Sequence, residues 1–382
     1  MERDDPWSVT DRDLHEALRS LRDAGESAAV ATVVDVEGSA YRRPGAKLVA
    51  PEGGDTLGAI TAGCLEGPVA ELAADARQTG AAAAETFDLM DDEAWGLGLG
   101  CNGVIDVLVE PLDDSFDPLL DALADREAAT LLTVVDSDDD AVPVGARTVV
   151  TGDGASEPSD RAALPGDALA ELRDSAANAR ESASSATFTV ERDDGDLDVF
   201  VDGVEPAPEL LLFGAQNDVH AVARLAAQSG FRVTVVSPRG ARASAEDFPH
   251  AHRVVCKHPD EVAAAVEDDE RTYAVLMSHN LVDDRLALEA LLDDTDVPYV
   301  GLMGPRKRFD DLREDAREDG RTFAQSALDR VSTPVGLDLG DGSPTGIALS
   351  IVGEVVAVAN DAEGGRLTDQ SGHVHARVDP TP

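Results

Sequence analysis

The sequence predicts an α/β protein, with an N-terminal α+β domain followed by a C-terminal doubly wound parallel sheet. Three observations carry that reading. Beyond residue 209, five apolar runs (LLLFG, RVTVVS, RVVCK, YAVLMSH and YVGLMG) each precede a helical stretch, the pattern of parallel strands joined by crossover helices. In the first 150 residues, strand-like runs follow one another across short turns. Aromatic residues make up only 4% of the chain while alanine and aliphatic residues dominate, which suits thin buried strands. At 382 residues the chain is long enough for two cores.

The elements follow in order. Thr10 or a neighbour caps an opening helix whose Leu14, Ala17, Leu18 and Leu21 share one face, and Gly25 ends it. The runs AAVATVVDV, AKLVAP and TLGAIT read as strands. Cys64 follows the third directly, before a helix that turns Val69, Leu72, Ala73 and Ala76 inward. A strand-to-helix turn offers free backbone N–H groups and a helix dipole that favours a thiolate. Cys101 precedes the strand GVIDVLVEPL, and a helix near 117–127 with ATLLTVVDS and ARTVVT completes a domain over 8–150. Residues 151–208 read as a polar connecting segment holding a helix over 166–182 and a hairpin across ERDDGDLD. The Rossmann-like domain spans 209–360, closed by the apolar helix GIALSIVGEVVAVAN, and 361–382 reads as a frayed tail. No internal repeat is visible.

The net charge of −45 is dispersed, and lysine occurs only at Lys47, Lys257 and Lys307. Such a surface suits a halophile-type proteome, where salt screens self-repulsion, and the lack of a basic stripe argues against nucleic acid. The start MERDDPWSVTDRDLHEALRSL lacks an apolar signal core, no run is long enough to span a bilayer, and three dispersed cysteines fit a reducing compartment. The expectation is a cytoplasmic protein with no membrane partner.

Cys64 in ITAGCLEG and Cys101 in GLGLGCNG sit in glycine-hemmed turns that bare the sulfur, and with Glu66 they form the candidate catalytic set. Cys256, inside RVVCK, reads as core. No cysteine pair has zinc-ligand spacing. Arg42, Arg43 and Lys47 give the first domain a small anion patch.

In the second domain, LLLFGAQNDVHAVARLA has the layout of a nucleotide-binding crossover. Gly214 fills the first glycine position, followed by Ala215, whereas Gln216 stands in the second and Val219 in the third, with Asn217 and Asp218 between. The next strand ends in Ser237, Pro238 and Arg239, with no carboxylate for a ribose diol. Gln216, Asn217, Ser237, Arg239, Ser278 and His279 all follow carboxyl ends of predicted parallel strands, the ligand edge of such a sheet. Arg306, Lys307 and Arg308, after Gly304, are the densest positive charge and read as a phosphate site, with pairing to nearby aspartates as the alternative.

Read as blocks, VVDVEGSAYRRPGAKLV, AITAGCLEGPV and GLGLGCNGVIDVLVEPL resemble the amino-terminal domain of the xanthine dehydrogenase accessory factor (XdhC/CoxI) family. LLLFGAQND, VTVVSPR, MSHNLVDD, YVGLMGPRKR and TPVGLDLGDGSPTGIALSIVGEVVA resemble its Rossmann domain, in the same order. The resemblance implies a maturation factor, more a cofactor-binding chaperone than a turnover enzyme. Its cargo would be molybdenum cofactor (molybdopterin, in mono- or dinucleotide form), sulfurated and inserted into an apo molybdenum hydroxylase of the xanthine dehydrogenase or CO dehydrogenase type. A cysteine desulfurase as sulfur donor and a homodimer are compatible with it. On that reading a thiolate, Cys101 in particular, is a soft ligand for molybdenum or a carrier of persulfide, and the basic crevice takes the anionic end. Gln216 and Ser237 depart from the family's usual glycine and aspartate, and Asn102 from its usual small residue. The alternative is an NAD(P)-dependent oxidoreductase using the Rossmann-like domain.

Overall fold

The computed structural model describes residues 6–7, 9–89, 103–156, 162–240 and 244–369. The chain forms two compact units that divide between Pro206 and Ala207.

The first unit opens with α1 (Asp11–Ala24), started by a reciprocal capping box between Thr10 and Asp13 and stopped by Gly25 in the left-handed region. Two five-stranded antiparallel sheets follow. In the first, β1 (Ala28–Gly38) lies between β2 (Lys47–Pro51) and β5 (Gly103–Pro111), with β3 (Leu57–Gly58) and β4 (Ala83–Asp88) at the edges, in the order β3-β2-β1-β5-β4. Helix α2 (Glu66–Thr79) covers one face through Val69, Ala73 and Ala76. The run TLGAIT is a strand for two residues only, because Gly58 turns into the left-handed region against the Lys47 carbonyl and the chain leaves the sheet.

Helix α3 (Asp117–Ala124) leads into the second sheet: β6 (Ala129–Ser137), β7 (Arg147–Thr151), β8 (Gly154–Ser156), β9 (Ser185–Val190) and β10 (Leu197–Val204), in the order β8-β7-β6-β10-β9. Helices α4 (Gly166–Glu171) and α5 (Arg173–Ser182) cover it. The helix and hairpin read within 151–208 therefore belong to a sheet, and this segment is not a connector. Its polar composition is deceptive because β10 is buried along nearly its whole length, Asp202 included, while β9 is mostly half-buried and the short helices bury little more than alanines. A shared core (Leu18, Val30 and Val49 with Leu119, Leu131 and Val149) joins the two sheets.

The second unit is a six-stranded parallel sheet of β11 (Glu209–Phe213), β12 (Arg232–Ser237), β13 (Arg253–Cys256), β14 (Thr272–Leu276), β15 (Tyr299–Leu302) and β16 (Val331–Ser332). The order β13-β12-β11-β14-β15-β16 is that of a dinucleotide-type doubly wound fold, with its switch point between β11 and β14. Helices α6 (Asn217–Gln228) and α10 (Pro344–Ala359) pack on one face, and α7 (Leu281–Asp294) and α8 (Arg306–Glu318) on the other. Glu354 of α10 accepts hydrogen bonds from Tyr299 Oη at 2.8 Å and Ser332 Oγ at 2.6 Å, pinning α10 to the last two strands. Burial, then the Glu354 charge, push the Tyr299 phenol well above its ordinary pKa. Cys256 is exposed, because β13 is an edge strand and ends at this residue.

Candidate functional site

Cys64 lies half-buried in the loop between β3 and α2, packed against the core of the first sheet. Thr61, buried beneath the loop, organises it. Its Oγ1 accepts from the backbone N–H groups of Gly63 (3.3 Å), Cys64 (3.2 Å) and Leu65 (3.2 Å). The same hydroxyl donates to the Glu66 carboxylate, which also accepts from the amides of Thr61 and Leu65. The N–H groups expected to be free are thus taken by the loop's own side chains, and Glu66 acts here as a clasp. Cys64 itself stays half-buried, and on either side of it Gly63 and Gly67 have no atom within 4 Å of where a side chain would begin, so the loop surface beside the thiol is uncrowded. Cys101 and Asn102 fall outside the described residues.

Arg42 and Arg43 occupy the β1–β2 loop beside Tyr41, which is 56% exposed and meets Trp7 at 5.9 Å between ring centroids. Among the described residues, Trp7 and Tyr41 are the large aromatics that stand exposed.

In the second unit the expected residues gather at the carboxyl edge of the sheet. Gly214, with φ of +150°, lies where a side chain would meet the Met277 carbonyl at 2.7 Å. Its glycine is therefore needed for the close approach of the β11 and β14 loops. Ala215 is half-buried, while Gln216 and Asn217 are exposed, and the Gln216 side chain makes no cap bond at the start of α6. Asp218, one residue further, brings a carboxylate to the helix end where a pyrophosphate would dock. His279 Nε2 meets Asp218 Oδ2 at 2.6 Å, so this pair spans the switch point. His279 is held in the left-handed region, with φ of +61°.

The cationic cluster divides. Lys307 pairs with Asp311 on the exposed face of α8, which raises its pKa. Arg308 donates to Asp284 at 2.6 Å, and Gly304 makes room for its stem. Asp284 is buried and also accepts from Ser278 Oγ at 2.5 Å and the Ser278 amide at 3.2 Å. Arg306 is exposed. Ser237 is buried, with Oγ donating to the Arg239 carbonyl, and Arg239 reaches Asp283 at 3.4 Å. The aspartate-pairing alternative thus holds for Lys307 and Arg308, leaving Arg306 as the cluster's unengaged charge among the described residues. Thr61 and Asp284 escape sequence reasoning, since neither carries a motif signature. No group of three metal-ligating side chains occurs among the described residues, nor any helix long and apolar enough to cross a membrane.

The first unit thus carries a half-buried thiol on a loop clasped by Thr61 and Glu66, and the second an altered nucleotide-type crevice at the edge of a doubly wound sheet. Residues 21–88 match the XdhC and CoxI family and residues 210–355 match the XdhC Rossmann domain; the chain belongs to this family. It is 26% identical over 348 residues to a Bacillus subtilis protein named as a probable xanthine dehydrogenase subunit, covering 90% of this chain and 96% of that protein. The uncharacterized protein YqeB of Escherichia coli shares 31% identity over 184 residues, 47% of this chain and 33% of YqeB. A crystal structure described as a xanthine dehydrogenase from Bacillus halodurans has the same fold, with a TM-score of 0.73 at 24% identity over 91% of this chain and 96% of that one.

Proposed function

We propose that the protein is an accessory factor for a molybdenum hydroxylase of the xanthine dehydrogenase or CO dehydrogenase type. Its cargo is molybdenum cofactor, which it binds for sulfuration and delivers to the apoenzyme. Membership of the family and the near full-length match to a protein named for xanthine dehydrogenase support this reading. The observation that carries it is the Cys64 loop, where three amides and a carboxylate are spent on holding the backbone around a half-buried thiol flanked by uncrowded glycines. A thiol so placed is a soft ligand or a sulfur carrier. The other candidate contacts are Cys101, Arg42 and Arg43 in the first unit and, taken by itself, the Arg239, His279 and Arg306 edge of the second, the arginines suited to the phosphate or pyrophosphate of the pterin.

The NAD(P) reading is the weaker one. Asp218 places negative charge at the start of α6, Gln216 replaces the close-approach glycine, and Ser237 is committed to its own turn. The test is maturation of a client hydroxylase in cells supplied with wild-type protein, Cys64→Ser or Cys101→Ser. Loss of client activity with client protein and cofactor synthesis intact is expected for at least one variant. Full maturation by both refutes the thiol role, and turnover of NADPH by the purified protein with an aldehyde or ketone would favour the oxidoreductase.

A further inference from the structure

We infer that the first unit is a tandem duplication, and that the second copy serves as a built-in dimer partner that holds the Arg42–Arg43 loop of the first in place. The inference is independent of what the protein binds. Residues 11–111 run helix, three strands, helix, two strands, residues 117–204 do the same with the second helix broken at Leu172 into α4 and α5, and the two sheets have one strand order, β3-β2-β1-β5-β4 and β8-β7-β6-β10-β9. The agreement extends to details that topology alone does not require. Each long central strand carries a bulge at the matching place, skipping Val34 opposite β5 and Val135 opposite β10. After it, Gly45 N donates to Val33 O and Ala46 N to Arg43 O; in the second copy Gly145 N donates to Val134 O and Ala146 N to Pro143 O. Thr86 Oγ1 donates to Asp106 across β4 and β5 at 2.6 Å, as Thr189 Oγ1 does to Asp198 across β9 and β10 at 2.6 Å. Gly25 and Arg126 end the matching helices with φ of +65° and +63°.

The sequences agree at these points once aligned on the bulges. Val33-Val34-Asp35 and Gly45-Ala46-Lys47 match Val134-Val135-Asp136 and Gly145-Ala146-Arg147. Asp106-Val107-Leu108-Val109-Glu110 matches Asp198-Val199-Phe200-Val201-Asp202. Lys47 therefore corresponds to Arg147, and Glu110 to Asp202.

Those four residues form two buried ion pairs, and the pairs are crossed. Lys47 of the first copy meets Asp202 of the second at 2.5 Å, and Arg147 of the second meets Glu110 of the first at 2.5 Å. If residue i of one copy meets residue j of the other while j meets i, the interface is isologous, as in a twofold dimer. The shared core obeys the same rule, with Ala28, Val30 and Val49 set against Ala129, Leu131 and Val149. A buried ion pair adds little net stability against an apolar replacement but fixes register, and here it fixes how the copies mate.

The consequence for the first copy is specific. Lys47 Nζ, held by Asp202, donates to the Gly45 carbonyl at 3.1 Å. Ser185 Oγ donates to Asp202 at 2.6 Å and lies 2.7 Å from where a Gly45 side chain would begin. Thr187 Oγ1 donates to the Val34 carbonyl at 2.9 Å. Asp202, Ser185 and Thr187 are thus positioning residues for the base of the loop that carries Arg42 and Arg43. The family match at 21–88 falls inside the first copy, where the Cys64 loop lies.

Hydrogen exchange by mass spectrometry on the full-length protein tests this, because the crossed arrangement makes a crossed prediction. Asp202→Asn should speed exchange roughly tenfold in peptides covering 39–46 and leave 139–146 unchanged. Glu110→Gln should do the reverse. Ser185→Ala, a milder change, should loosen 39–46 alone and keeps the test available should Asp202→Asn unfold the unit. Loosening confined to the mutated copy, or equal in both loops, overturns the inference.

Discussion

The hydroxyl of Thr61 is the point on which the Cys64 loop turns, and Thr61→Val removes it with little change of shape. Three amides lose an acceptor and Glu66 loses a donor. The amide contacts are long, so they are worth about 1 kcal/mol together, while the bond to the carboxylate is worth about 2. Rehydration of the exposed Gly63 and the half-buried Glu66 returns part of this, leaving a loss of about 2 kcal/mol. In a unit of this size that lowers Tm by about 4–8 °C. Loop opening becomes easier by the same amount, so thiol labelling of Cys64 should accelerate by up to about 30-fold. The assay is thermal unfolding by circular dichroism together with disulfide-reagent kinetics, in a Cys101→Ser, Cys256→Ser background. A Tm within about 1 °C of the parent, with an unchanged labelling rate, refutes the assignment of Thr61 as organiser.

Three further outcomes follow from the structure. Burial, and then the Lys47 charge, push the His15 imidazole down to about 4 from its ordinary 6.5. The unfolded chain therefore takes up a proton that the folded one refuses, so this contribution is whole above pH 6.5 and is lost as pH falls to 4. Tm of His15→Gln measured across that window should fall less steeply than that of the parent. Asp284→Ala strands the Arg308 guanidinium and the Ser278 amide, and should cost about 3 kcal/mol, or roughly 10 °C in Tm of the second unit, by calorimetry. Cys256→Ser, at an exposed strand end, should move Tm by less than about 2 °C, and alkylation of the native protein should reach Cys256 before Cys64.

Much of the fold can be read from the chain because periodicity and punctuation agree with it. The five apolar runs beyond residue 209 are parallel strands, four buried and β13 half-buried at the edge, and the Thr10 side chain and the left-handed Gly25 backbone bound α1. What cannot be read depends on partners distant in sequence. The duplication is carried by a sparse set of glycine, valine and acidic positions about one hundred residues apart, too few to register as a repeat. Asp284 looks like any surface acid of α7 until Ser278 and Arg308 close over it. Cys256 reads as core because strand residues usually are, yet its strand is an edge. At the candidate site, Gly63 and Gly67 leave the loop surface uncrowded, but Cys64 itself is half-buried. The free amides expected beside it are absent because Thr61, three residues earlier, already takes them.

The central claim, that this chain carries a pterin-bound molybdenum cargo with a thiol among its contacts, is tested most directly by native mass spectrometry. Protein produced in cells making molybdenum cofactor would be purified reduced and without oxygen, then compared with its Cys64→Ser and Cys101→Ser forms. The expected spectrum shows the parent with an added molybdopterin mass, reduced in at least one serine form while both remain folded by circular dichroism. A parent that emerges without a pterin mass under conditions where a client hydroxylase is being matured would contradict it.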